Sequence, residues 1–136
     1  MIVVDTNVLA YLWIPGERTA VARALVEADP DWQAPHLWKS EYTNVLVTLV
    51  RTGALTEHLA VQALDAAERQ MTENEHAVDP RAVLRIASTS GCSAYDCEFV
   101  ALARQLGVPL VTADRRLAKA FPGEARLLES AVEGLP

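Results

Sequence analysis

Two short apolar runs in this chain each stop on an acid. Residues 1–7 read MIVVDTN and residues 109–114 read PLVTAD. Neither run alternates polar and apolar side chains, so each reads as a strand buried on both faces, the pattern of a parallel sheet covered by helices. A helical stretch follows each acid. Strands alternating with helices are βαβ units, which give a mostly parallel sheet sandwiched between helices, an α/β architecture. Ligands of such sheets bind outside the carboxyl ends of the strands, and that is where Asp5 and Asp114 stand. Helix capping alone accounts for an acid in this place, because Asp, Thr and Asn accept bonds from the free N–H groups of a following helix. The repetition of the plan points to a further use.

Between the two strands the apolar spacing predicts helices over 6–13 and 18–28, broken at Pro15 and Gly16, and a short strand over 32–35. A strong helix follows over 36–51, with Trp38, Tyr42, Val45, Leu46 and Leu49 as its apolar stripe and Gly53 at its C-cap. The next helix, 56–71, is expected to bury Leu59, Ala63, Leu64 and Ala67 and to turn Glu57, Asp65, Glu68 and Arg69 to water. A strand is expected over 75–78. Asp79-Pro80 opens a helix that ends at Gly91. Ser93 opens another, 94–106, stopped by Gly107 before the strand 108–112. A helix at 115–120 and an edge strand at 126–129 complete the pattern.

With 136 residues, 51% of them hydrophobic, the chain is expected to form one domain over 1–136. No apolar run approaches the roughly 20 residues of a membrane span, and the start lacks the features of a signal peptide. A cytoplasmic protein without membrane segments is expected. Cys92 and Cys97 form neither a disulfide framework nor a zinc spacing, and read as small buried hydrophobes. His36, His58 and His76 are scattered, so any metal must be held by oxygen. The isolated glycines write no P-loop, no GxGxxG and no GxSxG elbow. A net charge of −6 argues against coating nucleic acid by bulk electrostatics, leaving room only for a local site.

Two further acids stand in unusual places. Glu41 borders the apolar stripe of its helix, one turn from Leu37, Trp38 and Val45, and Asp96 shares a helix side with Phe99, Val100 and Ala103. A carboxylate so placed wants a partner. Each has an ordinary alternative: Asp96 as the acidic arm of a capping box with Ser93, Asp114 as a cap, Glu41 as the ion-pair partner of Lys39. Four carboxylates brought together would repel, and a divalent cation with oxygen ligands, Mg²⁺ or Mn²⁺, relieves that repulsion. Arg115, Arg116 and Lys119 follow Asp114 and either hold flanking phosphates or form a solvated helix face. Glu98 lies about two residues around the helix from Asp96 and reads as a surface charge.

VVDTN at the start, SE at 40–41 and the run SAYDCEFVALARQLGVPLVTADRRL at 93–117 resemble the PIN-domain ribonucleases, with the small VapC-type toxins the nearest match. The likeness covers nearly the whole chain. It implies a three-layer α/β/α fold with a sheet of about five strands, strands 1 and 4 adjacent at its centre. It implies Asp5, Glu41, Asp96 and Asp114 as the catalytic, metal-binding quartet, with Thr6, Asn7 and Thr112 as polar neighbours. The activity implied is Mg²⁺- or Mn²⁺-dependent endoribonuclease, as the toxin of a type II toxin–antitoxin module. The partners implied are RNA, a homodimer mate and a cognate antitoxin lying as a helix in a groove. An inactive PIN-like module that binds RNA or protein is the alternative. A haloacid-dehalogenase-like phosphatase would want a second Asp where Asn7 stands, and a phospho-receiver would want a lysine after a late strand that PLVTAD does not match.

Overall fold

The computed structural model describes residues 1–134. Its thirteen elements are β1 (Ile2–Val4), α1 (Thr6–Trp13), α2 (Thr19–Ala28), β2 (Trp32–Pro35), α3 (Leu37–Arg51), α4 (Glu57–Met71), β3 (Glu75–His76), α5 (Pro80–Ser90), α6 (Ala94–Leu106), β4 (Leu110–Thr112), α7 (Arg115–Ala120), β5 (Ala125–Leu127) and α8 (Leu128–Glu133). The five strands form one sheet in the order β3-β2-β1-β4-β5. Every pairing is parallel.

The order dictates the layers. From β1 the chain steps outward to β2 and then β3, so right-handed crossovers put α1 to α4 on one face. The return from β3 to β4 crosses the sheet the other way and carries α5 and α6 over the opposite face,. A three-layer α/β/α sandwich results, with the direction of winding reversing between β1 and β4. That boundary is the topological switch point, where the crossovers diverge and leave a crevice at the carboxyl ends.

Burial on both sides explains the unbroken apolar strands. Val3 and Val4 are wholly buried, as are Trp32, Ala34, Trp38, Tyr42, Phe99 and Leu102. Val3 pairs with Leu110 and Val4 with Val111. The ladder extends past the strand end, since the Asp5 N–H donates to the Val111 carbonyl at 2.9 Å. Asp5 therefore lies beside Thr112.

Three expectations are corrected. Residues 126–129 do not form one strand: β5 ends at Leu127 and α8 begins at Leu128, with no side-chain cap to announce it. In α4 the inward face is Ala60, Ala63, Ala67 and Met71, and Leu59 is 49% exposed. Alanines on several sides of that helix make its phase hard to read, and the packed face is set by Met71 one turn past Ala67. The strand predicted from 108 starts at Leu110, because Val108 closes the α6 turn onto the Ala103 carbonyl, and Pro109 has no N–H to give the ladder. No helix among the described residues is long and apolar enough to cross a membrane.

Candidate active site

Four elements bring the predicted acids to the carboxyl edge. Asp5 is the N-cap of α1 and Asp114 the N-cap of α7. Glu41 is in the second turn of α3 and Asp96 in the first turn of α6. The capping reading holds for the two strand-end aspartates, and it does not exhaust them.

Asp5 is 7% exposed. Its Oδ1 accepts the Thr6 N–H at 2.7 Å, and its Oδ2 accepts the Thr112 hydroxyl at 2.7 Å and the Asn7 amide at 3.4 Å. Thr112 is wholly buried and ties the two junctions together, for its Oγ1 also accepts the Asp114 N–H at 3.0 Å. Asn7 does the same from the other side, its Oδ1 accepting the Ala113 N–H at 3.2 Å. Thr6 donates its hydroxyl to Glu41 Oε1 at 2.8 Å and so links α1 to α3. The predicted polar neighbours, Thr6, Asn7 and Thr112, are thus the groups that fix the acids in place.

Asp114 accepts the Arg116 and Leu117 N–H groups with one oxygen, Oδ1, at 2.8 and 3.3 Å. Asp96 receives no such bond. Its own N–H donates to Ser93 Oγ at 3.0 Å, one half of a capping box whose reciprocal arm is not made. Among the described residues Asp96, the second oxygen of Asp114 and the second oxygen of Glu41 have no protein donor.

Charge coupling shows how close the groups are. Burial pushes the Asp5 carboxyl up to about 6, opposed by the Thr112 and Thr6 hydrogen bonds and reinforced by Glu41 and Asp96. Glu41 is pushed up by burial, then by Asp96 and Glu98, against the Thr6 bond. Asp96 is raised by burial and by Asp114, and lowered by Ser93 and Arg116. Asp5, Glu41 and Asp96 therefore each feel another acid, and the only basic side chain among these influences is Arg116. Glu98, expected to be a surface charge, is half-buried and its carboxyl is raised by burial. It borders the site on the side of Glu41.

The basic residues divide. Arg116 acts on Asp96, whereas Arg115 acts on Glu129. Lys119 is exposed near the end of α7. Among the described residues no three histidine, cysteine or acidic side chains stand close enough to form a metal-holding group as placed. The donor chemistry nonetheless fits a hard divalent cation: carboxylates that raise one another, with unpartnered oxygens and no histidine or thiolate.

The sequence matches the PIN domain family over residues 2–121. It is 31% identical over 124 residues to the protein named Ribonuclease VapC3 of Pyrobaculum aerophilum, covering 89% of this chain and 95% of that one. It is 34% identical over 116 residues to Ribonuclease VapC1 of Mycobacterium tuberculosis, covering 83% of this chain and 86% of that one. Among solved structures, PAE2754 from Pyrobaculum aerophilum superposes with a TM-score of 0.78 at 24% identity, over 97% of this chain and 93% of that one. FitAcB from Neisseria gonorrhoeae does so with a TM-score of 0.67 at 17% identity, over 93% and 96%. These two likenesses bear on the fold. With the family matched along almost its whole length, and relatives above 30% identity covering most of it, the chain belongs to the PIN domain family.

Proposed function

We infer that residues 1–136 form one PIN domain acting as a Mg²⁺- or Mn²⁺-dependent endoribonuclease, the toxin of a toxin–antitoxin pair. The observation that supports this best is the gathering of Asp5, Glu41, Asp96 and Asp114 at the switch point, where Glu41, Asp96 and Asp114 each raise a neighbour's affinity for protons. Like charges collected at a ligand-binding crevice call for a cation and a reaction that uses one. A bound divalent ion, held by these carboxylates, supplies activation of water and neutralisation of charge on the scissile phosphate. Thr112, Asn7 and Thr6 keep Asp5 and Glu41 in fixed orientations, so the acids need little reorganisation when substrate arrives. Arg116 is the best placed of the basic residues to meet a phosphate next to the cut, and Arg115 and Lys119 would add weaker, more distant contacts.

The names of the relatives support RNA as substrate. A protein antitoxin is supported by the same likeness and by a surface feature. Helices α3 and α4 enclose an apolar groove of about 380 Å³ lined by Leu46, Val47, Val50, Ala60, Val61 and Leu64, a shape that accepts an amphipathic helix. A homodimer belongs to the same proposal, with the part-exposed Trp13 at the end of α1 as a contact.

One observation favours the alternative of a PIN module that binds without cutting: the acids do not close into a metal-holding group as placed. Incubating the protein with an RNA mixture in Mn²⁺, in a chelator, and with Asp5→Asn separates the two. The nuclease reading expects cleavage in Mn²⁺ alone, lost in the chelator and in the variant. RNA that stays intact in every lane, with the protein folded, would leave only the binding module.

A further inference from the structure

Of the three tyrosines in the chain, the fold uses two. Tyr42 is buried, stacks edge-on against Trp38 and donates its hydroxyl to the Ala63 carbonyl at 2.8 Å. Tyr11 packs on the core, and Arg18 both lies 4.7 Å over its ring and donates to its hydroxyl. Tyr95 is 64% exposed. Its ring is not part of the apolar cluster, and among the described residues its hydroxyl has no partner. A tyrosine left open in this way contributes little to folding.

Its position gives it a use. Tyr95 directly precedes Asp96 in the first turn of α6, whose start is pinned by the Ser93 cap. Helix α6 leads through Gly107 into β4 and so runs back along the sheet, placing its start at the carboxyl edge,. Side chains on a helix lean toward its N-terminus, so the exposed ring is carried at the carboxyl edge by the same turn as Asp96. RNA approaching that crevice meets several carboxylates and, close by, one arginine. Affinity from phosphate contacts is correspondingly small. An uncharged aromatic face holds a base without paying for that repulsion.

We propose that Tyr95 is a stacking platform for an unpaired base beside the scissile phosphate. The proposal rests on the ribonuclease reading above. A duplex, whose bases are already stacked on one another, offers Tyr95 no free base face. Tyr95 positions the strand; the carboxylates remain the reacting groups.

The test uses a single-stranded RNA oligonucleotide, its duplex, and the same strand with an abasic position at the cut. Binding is read by fluorescence anisotropy in Ca²⁺, and cleavage is read in Mn²⁺. Tyr95→Ala is expected to weaken binding and raise KM on the order of tenfold, the effect of one lost base stack, with kcat nearly unchanged. Tyr95→Phe should behave as wild type and Tyr95→Trp should bind at least as well. The abasic strand should lose the same affinity in wild type and lose no more in Tyr95→Ala; binding of the duplex should not depend on the ring. Wild-type binding and KM in Tyr95→Ala, a Tyr95→Phe as damaging as Tyr95→Ala, or an undiminished effect on the abasic strand would each overturn the proposal. So would unchanged RNA binding coupled to loss of a protein partner. Should wild type bind without cutting, the ribonuclease reading falls and the binding arm still decides the stack. Should it neither bind nor cut, both fall.

Discussion

At the β1–α1 junction the acid is buried and both of its oxygens are taken by protein donors. At the β4–α7 junction the acid is half-exposed, a single oxygen satisfies two helix N–H groups, and the other has no protein donor among the described residues. Both junctions follow the same plan in sequence. The difference arises because β1 lies between β2 and β4 at the centre of the sheet, while α7 begins three residues beyond the end of β4 where α1 begins two beyond the end of β1. The central acid is held as a rigid anchor at the expense of its charged form, and the peripheral one keeps an oxygen to offer. A site built this way has one fixed carboxylate and adjustable ones around it.

The largest expected effect comes from removing the charge at either junction or at the acids between them. Asp5→Asn, Glu41→Gln, Asp96→Asn and Asp114→Asn should each reduce RNA cleavage by more than the roughly 10- to 100-fold typical of a supporting residue. Circular dichroism should stay native-like. Two of the four retaining full activity would break the account of the quartet.

Thr112→Val cuts the link between the junctions while nearly preserving shape. It strips one donor from Asp5 and one acceptor from the Asp114 N–H. A buried polar group left unpaired costs about 1–3 kcal/mol, and the lost orientation should lower cleavage by roughly 10- to 100-fold. Denaturant unfolding and a cleavage assay on the same sample check both. A variant as stable as wild type would mean that the junctions are not coupled through this hydroxyl.

The β1–α1 junction should also respond to pH. The folded-state carboxyl of Asp5 titrates near 6, above its ordinary value of 3.8, so the native state binds this proton more tightly than the unfolded chain does. Stability from this group is full below pH 4 and is lost as pH rises through 6, by up to about 3 kcal/mol. In the metal-free protein, thermal unfolding should show that loss in wild type and lack it in Asp5→Asn. The variant gives up one hydrogen bond, because its amide can accept from Thr6 or Thr112 but not from both, so its stability at pH 7 should lie close to that of wild type.

Much of this was readable in the residues. Unbroken apolar runs specify doubly covered strands, and an acid ending each run marks the carboxyl edge. Gly91 and Gly107 both adopt left-handed φ where the helices were expected to end. The parts that escaped depend on packing. Leu127 and Leu128 read equally well as strand or helix, and only the contacts of α8 with α2 decide the matter. Glu98 is on the far side of a helical wheel from Asp96, and only the assembled fold brings its charge to bear on Glu41. Arg115 and Arg116 are adjacent in sequence, and only the direction of α7 turns one to Glu129 and the other to Asp96.

That last separation gives the smallest predicted effect. Arg116→Gln should raise KM for RNA a few-fold and lower the salt slope of binding by about one, as expected for one phosphate contact, whereas Arg115→Gln should change both by distinctly less. Equal effects of the two substitutions would show that the basic face acts as a diffuse field.

Calorimetric titration of Mn²⁺ into the metal-free protein at pH 6, in buffers of different ionisation enthalpy, tests the central claim most directly. Saturable binding should be accompanied by release of a substantial fraction of a proton, since Asp5 titrates near 6 and must be ionised to ligate. Asp5→Asn and Asp114→Asn should both bind at least about tenfold more weakly, and the proton release should fall in Asp5→Asn. Absent binding in wild type, or binding of unchanged strength in both variants, would contradict the assignment of these carboxylates as the metal-holding site.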